Sequence, residues 1–350
     1  MDLYIGFILV ILAGLGTGTS AWPFKKIKDI HLEQYMLVYM FTALIFVPWI
    51  VVFFNIPDLL IIIQKVGFKT LFISNLFSIS WGIANVLSMI CIMKIGASLV
   101  GAILTALGMS VGILLPMIFK GSGLFSKAPD LFSNAGIVII MGLFIIVIGL
   151  IFISIAGFGR EKILNNNNNP GTTGVISKNF LAGLLLTILG GFLSCGISLA
   201  FVYSQGPIIE AVKLQGENEI VANFAVWALG MFGGGVINIL YAIYLMSKNR
   251  SWGLLFARKD ELLFGAIVGL QLIISIIFLG RGMILLGALG ASVGFGIQQS
   301  LQVIGSQLVG FIGGEWKGII GIPRKRMYLG LIIILFAVIV FAYSNTMLNS

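Results

Sequence analysis

Charge is what this sequence lacks most. Only 9% of its 350 residues are Asp, Glu, Lys or Arg, against about 25% in soluble domains. No polar stretch is long enough to fold as a separate soluble domain, so a receptor or scaffold built on an extramembrane module is excluded. Cysteine is also scarce: Cys91 and Cys195 stand far apart, without CxxC or Cys/His spacing, so buried thiols are expected and neither a disulfide framework nor a zinc site. The single histidine, His31, lies in a charged loop and reads as a solvated side chain. No HExxH or GxSxG motif and no His/Asp/Cys cluster occurs, which argues against a membrane-embedded enzyme. No cofactor or metal site is expected.

What is present is apolar: 59% of the residues are hydrophobic. The roughly 20 apolar residues needed to cross a hydrocarbon core recur along the whole chain. Ten spans are predicted, near 3–22, 35–54, 70–93, 95–119, 135–155, 180–204, 223–245, 262–279, 284–312 and 327–347. The first span has no basic residue before it and no small-residue cleavage pattern, so it reads as a retained helix. The expected class is an all-α integral membrane protein of the cytoplasmic membrane, with lipid as its main surroundings.

The basic residues are distributed unevenly between the nine loops. The odd-numbered loops hold 15 of the 21 Lys and Arg and the even-numbered ones six. Because basic loops stay cytoplasmic, PFKKIK (Pro23 to Lys28), SKNR (Ser247 to Arg250) and PRKR (Pro323 to Arg326) are expected inside, and both termini outside. The net charge of +9 is thus a topology signal, and no basic stretch forms the compact domain that nucleic-acid binding would need.

NNNNNPG (Asn165 to Gly171) is a low-complexity polar run that reads as a flexible cytoplasmic linker. It divides the chain into a five-helix half over 1–156, a linker over 157–179 and a second five-helix half over 180–350. An odd number of helices per half inverts the second half in the membrane. GFILVILAG (Gly6 to Gly14) matches GLLLTILGG (Gly183 to Gly191) at five of nine positions, and IGAS (Ile95 to Ser98) echoes LGAS (Leu289 to Ser292). Two inverted repeats are therefore expected, an architecture of secondary transporters with the site between repeats near the midplane.

Polar residues fall into stripes. Ser74, Ser78, Trp81, Asn85 and Ser88 are spaced by threes and fours, as are Asn223, Trp227, Gly230, Gly234, Asn238 and Tyr241. In the ninth span, which contains GFGIQQSLQVIGSQLVG (Gly294 to Gly310), Ser292, Gln298, Gln299, Gln302 and Ser306 share one arc of a helix. Val293, Ile297, Leu301, Ile304, Leu308 and Phe311 occupy another, expected to face lipid. Such stripes on both halves suggest a shared hydrated cavity, against the plainer alternative of interhelical bonding worth roughly 0.6 kcal/mol each. Amides beside indoles offer donors, acceptors and a flat apolar face, the combination a sugar requires. The candidate substrate-binding residues are Trp81, Asn85, Asn238, Gln271, Gln298, Gln299 and Gln302.

All twelve acidic residues fall in loops or at span ends. A charge at mid-membrane costs roughly 2.5–3.5 kcal/mol and is kept only for function. A cationic-drug exporter should carry one and a sugar-phosphate carrier should carry cavity Lys or Arg, so a neutral solute fits better. Glu210 and Glu315, at the mouths of second-half helices, are the proton-coupling candidates; sodium is the alternative coupling ion. No pattern fixes an oligomeric state.

AWPFKKIK (Ala21 to Lys28), Pro48-Trp49, WGIAN (Trp81 to Asn85), GGGVIN (Gly233 to Asn238) and GEWKG (Gly314 to Gly318) resemble, in order and spacing, the bacterial L-rhamnose/proton symporter family of the drug/metabolite transporter superfamily. The resemblance covers essentially the whole chain. It implies ten helices in inverted repeats, alternating access and proton-coupled uptake of a sugar. One departure is LIISIIFLGRGM (Leu272 to Met283), which includes Arg281, where the family pattern leads one to expect an aromatic-rich helix ending in Trp-Gly-His; a substrate other than rhamnose is then open. The alternative function is a drug/metabolite-type exporter or a permease for another neutral metabolite, and the expected helices around the site are the first, third, fourth, sixth, eighth and ninth.

Overall fold

Lipid offers no partners for backbone N–H and C=O groups, so a chain this apolar must satisfy them within its own helices. The computed structural model describes residues 2–95, 97–119, 130–168, 178–287, 290–344 and 347, and every regular element among them is helical. In the first half, α1 (Asp2–Gly18) continues as a tight 3-10 segment, Thr19–Lys25. The second crossing is α2 (Leu32–Met40), a π-helical stretch Phe41–Phe46 and α3 (Val47–Asn55). A short α4 (Leu59–Val66), capped by the Asp58 carboxylate, leads to the long helices α5 (Phe68–Ile95), α6 (Ala97–Ile118) and α7 (Asn134–Asn168).

The second half begins with α8 (Lys178–Ser194), continued after one residue by α9 (Gly196–Lys213). Next come α10 (Glu219–Ala225), a π stretch Val226–Gly230 and α11 (Phe232–Asn249). They are followed by α12 (Leu254–Ala257), α13 (Lys259–Leu285), a π turn Gly290–Gly294, α14 (Phe295–Ile312) and α15 (Ile322–Ser344). Eight helices of the described residues are long and apolar enough to cross a membrane, or nine if the pair joined at Met231, bent by 57°, is one span. Of the ten expected spans, only that of α14 falls outside this count, because four glutamines among its eighteen residues dilute its hydropathy. The Asn-rich run enters as helix: α7 extends through Asn168. The rest of that linker, residues 169–177, lies outside the described residues, as do Gly96 and Leu289 of the two echoing tetrapeptides.

Small residues set the helix contacts, as expected where backbones must approach closely in a bilayer. α7 and α15 form a pair at one edge; a Cβ on Gly149 would lie 2.6 Å from Ile334 and one on Gly330 2.7 Å from Ile153. α1 packs on α13 and α14, while α8 packs on α5 and α6. Gly6 meets Leu285 and Gly183 meets Lys94; Gly14 meets Leu301 and Gly191 meets Leu107. Likewise α2 packs on α13, and α11 on α5.

One expectation about exposure is corrected. Val293, Ile297 and Leu301, assigned to the lipid face of the ninth segment, are 0%, 1% and 7% exposed. The first half of α14 is enclosed by α1, α6 and α15, so its apolar arc packs against protein. Only the far end, with Leu308 and Ile312, is open to lipid.

Candidate functional site

Between the helices lies a cavity of about 270 Å³, room for on the order of nine waters at roughly 30 Å³ each or for one monosaccharide. α14 lends Phe295, Gln298, Gln299 and Gln302; α5 lends Trp81, Asn85 and Ser88. Thr17 and Ser20 come from α1 and its extension, Thr105 from α6, Ser194 from α8, and Ile197, Ser198 and Phe201 from α9. α13 completes the wall with Leu272, Ser275, Ile276, Leu279 and Met283. All six expected helices contribute. Tyr39 and Met40 of α2 and Trp227 of the π stretch, from two further spans, also line it.

Among the described residues the cavity wall carries amides, hydroxyls, aromatic rings and aliphatic side chains, and no Asp, Glu, Lys, Arg or His. At its centre the Gln298 Nε2 donates to Thr17 Oγ1 at 3.0 Å and to Gln302 Oε1 at 3.1 Å. These bonds span one helical turn and tie α14 to α1. Gly14 and Gly18 make this approach possible, since a Cβ on either would strike the α14 backbone at 2.6 and 2.3 Å. Several hydroxyls are turned to backbone carbonyls: Ser194 Oγ donates to Leu104 and Gly191, Ser198 Oγ to Gly112 and Ser275 Oγ to Gln271. Their lone pairs are left to accept from a ligand. Phe201 and Trp227 form an aromatic corner, ring centroids 6.1 Å apart.

Five of the seven candidate binding residues line this cavity: Trp81, Asn85, Gln298, Gln299 and Gln302. Asn238 and Gln271 do not. The Asn238 Nδ2 is spent on the Gly234 carbonyl one turn earlier in α11. Gln271 accepts from Trp22 Nε1 at 3.0 Å and donates to the Gly16 carbonyl and Thr19 Oγ1 at 2.7 and 2.9 Å, which makes it a brace between helices. The stripe on α5 divides by depth. Asn75 and Ser78 bond the backbone of Leu229, Met231, Gly233 and Gly234, where the seventh span bends, while Trp81, Asn85 and Ser88 face the cavity.

The two carboxylates proposed for coupling are both exposed. Glu315 pairs with Arg160 at 2.7 Å, whose guanidinium lies 5.6 Å from the Trp316 ring centroid; Glu210 sits in the last turn of α9. The buried acidic residues among those described are instead Glu33 and Glu261, 5% and 3% exposed. Sequence reading also passed over Thr17, Ser20, Tyr39, Phe201 and Trp227 as site residues. The signal for Thr17 and Ser20 was available, since they sit one turn apart at the end of the first span, as Ser194 and Ser198 do on the sixth. Nothing in the sequence marks Tyr39 or Phe201.

The family model for the L-rhamnose-proton symport protein matches this sequence over residues 2–347. A protein of Pectobacterium carotovorum subsp. carotovorum (strain PC1), an L-rhamnose-proton symporter, is 25% identical over 325 residues, 90% of each chain. L-rhamnose-proton symporters of Yersinia pestis (strain Pestoides F) and Yersinia pseudotuberculosis serotype O:1b (strain IP 31758) are 24% identical over 344 residues, 96% of each chain.

Proposed function

The chain belongs to the L-rhamnose-proton symport protein family, a family of multi-pass membrane transporters and not of enzymes, and on that premise we propose that it carries a neutral sugar, L-rhamnose or a close relative, by proton symport with alternating access. The observation that carries the reading is the uncharged wall of the cavity, with four amides and two tryptophans around a space of monosaccharide size. A sugar needs paired hydrogen bonds for its hydroxyls and a ring face for its C–H groups, and no ion pair. The proposed contacts are Gln298, Gln299, Gln302 and Asn85 for hydroxyls and Trp81 for stacking.

Ten spans in two inverted five-helix halves, 1–156 and 180–350, joined by a cytoplasmic linker, are part of the same proposal. The helix pairing supports it: α1 packs on α13 and α14 as α8 packs on α5 and α6, and Gly14 meets Leu301 as Gly191 meets Leu107. Two copies related by an axis in the membrane plane would meet in this way. The linker lies with the basic loops on the cytoplasmic side, and both termini lie on the opposite side.

The stretch Leu272 to Met283, where the sequence differs from the expected pattern, supplies Leu272, Ile276, Leu279 and Met283 to the cavity wall. Related sugars therefore belong beside L-rhamnose in the transport test.

Uptake of radiolabelled L-rhamnose and related sugars into membrane vesicles, with and without an imposed pH gradient, tests the proposal. Accumulation should follow the gradient and collapse with a protonophore. Gradient-independent uptake, or dependence on sodium, would remove the proton from the reading. Glu210→Gln and Glu315→Gln belong in the same assay; if both keep gradient-driven accumulation, coupling lies at another group.

A further inference from the structure

α13 grips the segment between α1 and α2 at two levels. Deeper in the fold, the Gln271 amide spends both ends on that segment, accepting from Trp22 and donating to Gly16 and Thr19. Ten residues earlier, the Glu261 carboxylate accepts three successive backbone N–H groups, of Lys28 at 3.2 Å and of Asp29 and Ile30 at 3.0 Å. The Arg258 guanidinium completes its shell at 3.1 Å and also pairs with Asp29 and Asp260. Between the two levels Lys26 Nζ lies over the Trp22 and Phe264 rings, which meet edge to face at 5.8 Å. A carboxylate 3% exposed is tolerable only when its lone pairs are occupied, and here the donors come from a loop, where they hold backbone rather than side chain.

The corresponding contact in the other half is made differently. There Ser80 Oγ of α5 donates to the Leu193 carbonyl at 3.1 Å and Gln215 Nε2, after α9, to the Asp58 carbonyl at 2.8 Å, and among the described residues no buried carboxylate takes part. The gripped segment supplies Thr17 and Ser20 to the cavity wall, and α13 supplies Leu272 and Ser275. The grip therefore sits at one end of the cavity wall, the end towards the Trp22 loop.

We propose that Glu261 and Gln271 form a latch that holds this end of the cavity shut, and that alternating access requires the latch to release. The proposal rests on the transporter reading above and adds the residues that bias its two states. Neither residue touches substrate in it; both position the wall.

Accessibility of the cavity tests it without any sugar. Ser20→Cys, in a background with Cys91→Ala and Cys195→Ala, is labelled with an impermeant maleimide in right-side-out and in inside-out vesicles. Glu261→Gln keeps the shape but loses the charge that draws four donors, and Trp22→Phe keeps the ring but removes the donor to Gln271. Each should raise the labelling rate from the side of the Trp22 loop about tenfold or more, the effect of losing one charge-assisted or buried bond, and lower it from the opposite side. Glu261→Asp should fall between. An unchanged rate, or a rise from both sides together, overturns the latch. Parent uptake is measured separately, so a failure of the sugar assignment leaves this readout intact, and the vesicle orientation that responds reports which side the loop faces.

Discussion

Gln298 joins two things that few side chains in a bilayer combine: it is 5% exposed and it faces a cavity. Its amide already donates to Thr17 and Gln302, so a ligand hydroxyl entering beside it joins a chain of bonds rather than a lone group. A site of this kind discriminates sharply, because removing one partner leaves others buried and unpaired. Gln298→Leu and Gln302→Leu should each depress sugar uptake by about tenfold or more, from a loss of roughly 1–3 kcal/mol, with expression unchanged. Gln307, outside the cavity wall, serves as the control, and Gln307→Leu should be mild. Normal transport by all three would reduce the stripe to packing. The same residue type reads differently at Gln271 and Asn238, whose donors are taken by backbone carbonyls. Sequence marks an amide at membrane depth as costly without revealing which neighbour claims it.

Helices approach most closely where glycine permits, and α1 is bound to α14 in this way. A Cβ on Gly14 would sit 2.6 Å from both the Gln298 carbonyl oxygen and the Leu301 Cβ. Since one of these is backbone, relief requires the helices to separate. Gly14→Ala should therefore destabilise the protein by about 1–3 kcal/mol, the usual cost of overpacking, and lower uptake by displacing Gln298. Gly191→Ala meets Leu107, whose Cδ1 can turn although its Cβ at 2.9 Å cannot, and reaches a backbone atom only at 3.3 Å, so its effect should be smaller. Gly101 has nothing within 4 Å of its added Cβ, and Gly101→Ala should leave the melting temperature in detergent unchanged or raise it through helix propensity. Equal losses in all three would mean that close packing does not decide stability here. The glycine triplet Gly233 to Gly235 gave warning of a close approach, but the 57° bend at Met231 depends on Asn75 and Ser78 from α5 capturing its backbone. That dependence is nonlocal.

The basic loops predict how the whole molecule is oriented. Lys26, Arg324, Lys325 and Arg326 should face the cytoplasm, because a positive loop resists translocation. Cysteines placed at these positions should resist an impermeant thiol reagent applied to intact cells and react in inside-out vesicles; ready labelling from outside would invert the topology. Arg258, which lies at the same end beside Glu261, is held above the ordinary guanidinium value chiefly by its hydrogen bonds to Asp260, so the charge at this mouth persists through any physiological pH. No described residue of α7 or α15 lines the cavity, and the two helices pack on each other through Gly149 and Gly330 at one edge.

The sequence by itself determined that the chain is a helical membrane protein, where most of its spans lie, and that its acidic residues keep to loops and span ends. These properties follow from composition and from one-dimensional periodicity, since a bilayer taxes every charge and every unpaired backbone group wherever it occurs along the chain. Only the tertiary structure decided which polar residues meet. Tyr39, Phe201 and Trp227 reach the cavity, Gln271 is spent as a brace, and Val293, Ile297 and Leu301 are enclosed instead of facing lipid. The buried carboxylate Glu261 looks in sequence like any acidic residue at a helix start, and its burial is set by a loop more than 200 positions earlier in the chain. A helix's own pattern gives the angle of each side chain about its axis, whereas what lies at that angle belongs to the neighbouring helices.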